Sequence, residues 1–140
     1  MRVMVLVKAT KDSEAGVMPG EKVLTEMGRY NEALVEAGIM LGGEGLHPSS
    51  RGVRLRLDSH ERQTVPGPFT SSSDLVSGFW LWKVRSMDEA IEWARRIPTV
   101  KGAPDEVELR PVLEDEDFGP EFTPELREQE ARLRARTGTS

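Results

Sequence analysis

The apolar positions change period along the chain, and each change marks an element. Arg2 to Val7 is a β-branched run with Val3, Val5 and Val7 on one side and Met4 and Leu6 on the other, which predicts a strand covered on both faces. From Gly20 to Ala37, Val23, Met27, Tyr30 and Leu34 recur at helical spacing and Gly38 supplies the stop, predicting an amphipathic helix. Ile39-Met40-Leu41 resumes a strand that runs into Gly42-Gly43-Glu44-Gly45-Leu46-His47-Pro48, where glycines permit bends or close backbone approach. Residues 53–57 alternate Val, Arg, Leu, Arg, Leu and can pair with Arg62–Val65 across Asp58-Ser59-His60-Glu61 as a hairpin. Phe79 to Val84 repeats the two-faced apolar signal of the first strand. Ser86-Met87-Asp88-Glu89 is a capping box that opens a helix, with Ala90, Ile91, Ala94 and Ile97 expected on one face before Pro98. Glu106 to Val112 alternates around Val107 and Leu109 as a last strand.

The order β-α-β-hairpin-β-α-β is that of an α+β, ferredoxin-like split βαβ subunit with an added hairpin. Two helices cover only one face of such a sheet, so the apolar side chains of the other face need a cover. Trp80, Trp82 and part of the Met4/Leu6 set are expected on that uncovered face, in a patch of several hundred Å² that monomers rarely expose. The simplest cover is a second copy related by a two-fold axis, so a homodimer is expected.

Composition adds a boundary. The 140 residues suit one domain, and with no cysteine the chain carries neither disulfides nor thiolate chemistry. Residues 1–113 are nearly neutral, with 15 basic and 16 acidic side chains, whereas 114–140 hold 8 acidic and 4 basic. A domain over 1–113 and an acidic extension over 114–140 follow. The run Glu114-Asp115-Glu116-Asp117 reads as solvated chain. Thr123-Pro124-Glu125 opens a helix over roughly 124–136, whose Leu126 and Leu133 are too few to hold it alone, so it either anchors through them on another surface or stays partly disordered. A net charge of −5 disfavours nucleic acid and anionic membrane as partners. The opening apolar run is too short for a secretory or membrane segment, so a cytoplasmic protein is expected.

The candidate chemistry is sparse. Glu44 and His47, three residues apart at the end of the Gly-rich strand, are the candidate catalytic pair for proton transfer. Pro66-Gly67-Pro68-Phe69-Thr70-Ser71-Ser72-Ser73-Asp74 offers hydroxyls, backbone N–H groups and a carboxylate, giving Thr70 and Asp74 as ligand-binding candidates, against which stands their ordinary use in turns. Phe69 and Trp82 are candidate apolar walls, Arg54 a candidate cation for an anionic ligand, and Lys8, Lys11 and Asp12 lie within reach of a cleft at the strand ends, against which stand their ordinary uses as core aromatics, a surface ion pair and loop charges. The two histidines stand too far from other ligands for a convincing metal site, and neither a P-loop nor a dinucleotide fingerprint is present, so no metal and no cofactor is expected.

Taken together, Gly43-Glu44-Gly45-Leu46, Pro66-Gly67-Pro68-Phe69-Thr70, Gly78-Phe79-Trp80, Asp88-Glu89-Ala90 with Trp93, and Glu108-Leu109-Arg110-Pro111-Val112 resemble the YCII-related family, specifically its DGPF-domain branch, over about residues 1–118. The resemblance implies a dimeric α/β barrel of ferredoxin-like subunits and implies little about activity. Two departures limit it further. The signature's aspartate is replaced by Pro66, and the His and Asp proposed as an active pair in the YciI-type branch fall here on Met27 or its neighbours and on Ile97. A small-molecule-binding protein or accessory enzyme, with a cleft at a dimer interface and an unknown ligand, is the first expectation. A non-catalytic dimeric interaction module and, by analogy of fold, a cofactor-free oxygenase-like enzyme are the alternatives.

Overall fold

The computed structural model describes residues 1–70, 74–99 and 105–138. Its elements are β1 (Arg2–Lys8), α1 (Lys11–Glu14), α2 (Glu21–Glu36), β2 (Met40–Gly45), β3 (Val53–Leu57), β4 (Arg62–Pro66), β5 (Val76–Lys83), α3 (Met87–Ala94), β6 (Val107–Pro111) and α4 (Pro124–Thr137), with single 3₁₀ turns at Ser49–Arg51 and Asp115–Asp117. Four strands form one sheet in the order β2-β5-β1-β6, every neighbour antiparallel, and β3 pairs with β4 as a separate ribbon. With the ribbon set aside as an insertion between β2 and β5, this is the order expected of a ferredoxin-like α+β subunit. No helix among the described residues is long and apolar enough to cross a membrane.

Register sorts the two faces. Val3 lies opposite Trp82 and Val5 opposite Trp80, so valines and tryptophans project to the same side. On that side they pack with Tyr30 and Leu34 of α2, Ala90 of α3, Ile39 and Val84 as the buried core. Trp82 is 0% exposed and Trp80 7%. Both tryptophans therefore lie under the helices, and not on the uncovered face where sequence placed them. The uncovered face belongs to the alternate set, in which Met4 is paired with Leu81 and Leu6 with Phe79, all four half-buried. Strand periodicity gives two faces but not which one the helices cover. Beside these residues Lys8 and Arg110 both pair with Glu108, so Lys8 is engaged on the sheet and does not reach a cleft.

Local signals explain most element ends. Gly38 follows α2 with φ +71°, as the stop signal predicts. Gly43 lets β2 run close over Trp80, whose Cδ1 a Cβ would meet at 2.7 Å. At α3, Ser86 Oγ accepts from the Glu89 N–H at 3.2 Å, but Glu89 reaches back one residue further than a capping box requires, to the N–H and guanidinium of Arg85. Met87, Ala90, Trp93 and Ala94 of α3, with Ile97 just beyond its end, pack inward, whereas Ile91, expected among them, is 36% exposed. The acidic run is no free chain: Asp115–Asp117 is a turn capped by Glu114 and Asp117 on each other, and Glu114 takes both Nε and Nη2 of Arg2. Helix α4 forms behind its Thr123 cap, yet Leu126 and Leu133 are 45% and 49% exposed, so the described residues cover them only in part.

Candidate functional site

At the end of the sheet where β1 finishes and β5 begins, three loops meet. One contains α1, a single turn opened by Thr10, whose Oγ1 accepts from the Ser13 N–H while Ser13 Oγ accepts from the Thr10 N–H. The pattern Thr-x-x-Ser over residues 10–13 was a readable signal for this turn, which the periodicity of the chain does not show. The second loop is the turn Ser49–Arg51 after β2. The third runs from Pro66 into β5, and its serines Ser71, Ser72 and Ser73 lie outside the described residues.

Ser49 fastens the three together. Its N–H donates to Glu14 Oε2 at 2.9 Å, its hydroxyl donates to Glu14 Oε1 at 2.5 Å, and its Oγ accepts from the Phe69 N–H at 3.0 Å. The Ser49 hydroxyl, followed by the Ser49 amide, holds the Glu14 carboxyl below its ordinary pKa, since both bonds favour the ionised form. The third loop can approach this closely only because residue 67 is glycine. A Cβ there would stand 1.8 Å from the Ser49 carbonyl oxygen, and the Gly67 N–H donates to Gly52 O at 3.0 Å. Neither Glu14 nor Ser49 was singled out from sequence, because 35 residues separate them and neither stands in a recognisable motif.

The fastened loops enclose a cleft of about 330 Å³ lined by Thr10, Lys11, Glu14, Phe69, Thr70 and Leu75. Phe69 and Thr70 of the third loop thus share the lining with Lys11 of α1, three residues that sequence gave separately, as an apolar wall, a loop rim and a charge past the first strand. The Arg54 guanidinium lies 3.9 Å from the centre of the Phe69 ring, so it backs an apolar wall from the hairpin side. Asp74 is exposed at the far end of the same loop and does not line the cleft; Trp82, offered as a second wall, is buried in the core on the helix side.

Glu44 and His47 do not form a hydrogen-bonded pair. Glu44 is exposed on β2 opposite Phe79. His47 turns instead to Arg51, whose Nη1 is 3.3 Å from Nδ1 and 3.2 Å from Nε2. The chain past Gly45 leaves the sheet toward the 3₁₀ turn and carries His47 with it, away from Glu44 on β2. Among the described residues no three His, Asp or Glu side chains gather as a metal site. A second, smaller hollow of about 230 Å³ sits at the opposite end of β1, between Arg2, Glu114, Asp115, Glu116 and Arg134. Within it Arg2 pairs with Glu114, while Asp115 pairs with Arg127 and Arg134 with Glu130 along the C-terminal segment.

The model of the YCII-related domain matches residues 1–115, a span that takes in both walls of the cleft and stops short of α4. A protein of Rhizobium meliloti (strain 1021), described as uncharacterised, is 28% identical over 92 residues, which make up 66% of this chain and 74% of the relative.

Proposed function

This chain belongs to the YCII-related family, and from that premise we propose that it binds a small molecule in the cleft between α1 and the loop that follows β4. The observation that carries the reading is the Glu14–Ser49–Phe69 fastening, which commits two backbone N–H groups, a hydroxyl and a carboxylate to holding an aromatic wall over an open space. Small-ligand sites are concave, mostly apolar and carry a few placed polar groups, and a volume of about 330 Å³ is at the small end of their range. The bound molecule would meet Phe69 and Leu75 on one side and Lys11, Thr10 and Thr70 on the other. Proton transfer by Glu44 and His47 has less support, since the pair is not assembled in the subunit.

The working unit under this proposal is a homodimer in which the face carrying Met4, Leu6, Phe79 and Leu81 packs on its copy, giving a dimeric α/β barrel. The support is the half-buried apolar set, left bare by helices that lie on the other side. A second role as an interaction module is favoured by the half-exposed Leu126 and Leu133 of α4. A thermal-shift screen with a broad metabolite panel tests the binding proposal. A stabilising metabolite whose effect is lost in Phe69→Ala is the result expected; hits that are indifferent to Phe69→Ala overturn it.

A further inference from the structure

Resting on the cleft proposed above, the geometry points to a ligand class: we infer that the site is built for a small apolar zwitterion, of which an α-amino acid with an aliphatic side chain is the simplest example. Lys11 and Glu14 both line the cleft and stand three apart on the single turn of α1. That spacing puts their Cβ atoms roughly 5–6 Å apart on one face. They nevertheless form no ion pair with each other, and Lys11 pairs with no carboxylate among the described residues. Glu14 cannot swing to meet Lys11, because Ser49 holds one of its oxygens with an N–H and the other with a hydroxyl. An ionised carboxylate offers about four lone-pair sites, so two remain for a further donor.

The consequence is a cleft lined by one fixed anion and by one cation that no carboxylate among the described residues neutralises. A simple anion drawn to Lys11 is opposed by Glu14, and a simple cation drawn to Glu14 is opposed by Lys11, with terms of similar size at similar distance. A molecule bearing both charges on one carbon gains from both. Its ammonium faces the Glu14 carboxylate and its carboxylate faces the Lys11 ammonium and the hydroxyls of Thr10 and Thr70. Its side chain then lies toward Phe69 and Leu75, the latter only 8% exposed.

The test is a calorimetric titration with four molecules that share the 3-methylbutyl group: L-leucine, 4-methylpentanoate, 3-methylbutylamine and 3-methylbutan-1-ol. L-leucine is expected to bind at least about tenfold more tightly than any of the other three. Lys11→Met, at an exposed position outside the fastening, is expected to weaken L-leucine about tenfold and to leave 3-methylbutylamine unchanged or improved. Equal binding of 4-methylpentanoate and L-leucine, or an L-leucine affinity indifferent to Lys11→Met, overturns the zwitterion and leaves the cleft. Silence from all four alongside a screening hit that depends on Phe69 does the same; silence with no such hit removes both the class and the cleft.

Discussion

Ser49 shows how much one side chain can hold. Ser49→Ala removes the hydroxyl that donates to Glu14 and accepts from the Phe69 N–H, leaving that N–H with no acceptor. A lower midpoint in denaturant melts is expected, together with a rise of the Glu14 pKa toward its ordinary value, read by NMR titration. The pH sign follows from the same bond. Glu14 is depressed in the folded chain, so its contribution is complete above about pH 5, where carboxylates are ionised folded or unfolded, and fades as acid protonates it below the model-peptide value of about 4.3. The melting difference between the native chain and Glu14→Gln should therefore shrink from pH 6 to about pH 3; a difference that grows with acid would contradict the fastening. Gly67→Ala asks for space occupied by the Ser49 carbonyl and should cost at the top of the roughly 1–3 kcal/mol range for overpacking, or more.

Elements were legible where the signal is local. Both long helices, the hairpin and the strands around it follow from spacing and caps, and α1 would have followed from its Thr-x-x-Ser box. What periodicity does not carry is a choice between equivalents. It gave the two faces of β1 and β5 but assigned the tryptophans to the wrong one, and it offered Ile91 to the core where Trp93 turns inward instead. The fastening was illegible for another reason: its members meet only after β2 has been laid beside β5, and no pattern within either segment announces a partner 35 residues away. The β3–β4 ribbon has its own consequence. Val53, Leu55 and Leu57 are 56%, 58% and 65% exposed, and a two-stranded ribbon alone is marginal in water. Hydrogen exchange should run faster in β3 and β4 than in the central β1 and β5, by orders of magnitude when the protein is dilute.

For the whole molecule the question is what lies over the bare sheet. If a second copy does, light scattering should give twice the 15.6 kDa chain mass, and melting should rise with protein concentration. Leu6→Asp, across from Phe79, would put a charge into that contact and should yield single subunits without loss of helical signal. A single-subunit mass for the native chain at micromolar concentration would exclude the barrel, while the cleft, built within one subunit, would be untouched.

The aromatic packing also decides what light can report. All three tryptophans and the single tyrosine sit together, with Tyr30 5.8 Å from Trp80 and 6.5 Å from Trp93, and Trp80 5.9 Å from Trp82 by ring centres. Intrinsic emission therefore watches one place, the helix-side interior, and will mark its melting sharply. Events at the cleft or on the bare face occur out of its sight, so a flat emission trace during titration should be met with an introduced fluorophore or calorimetry before binding is dismissed.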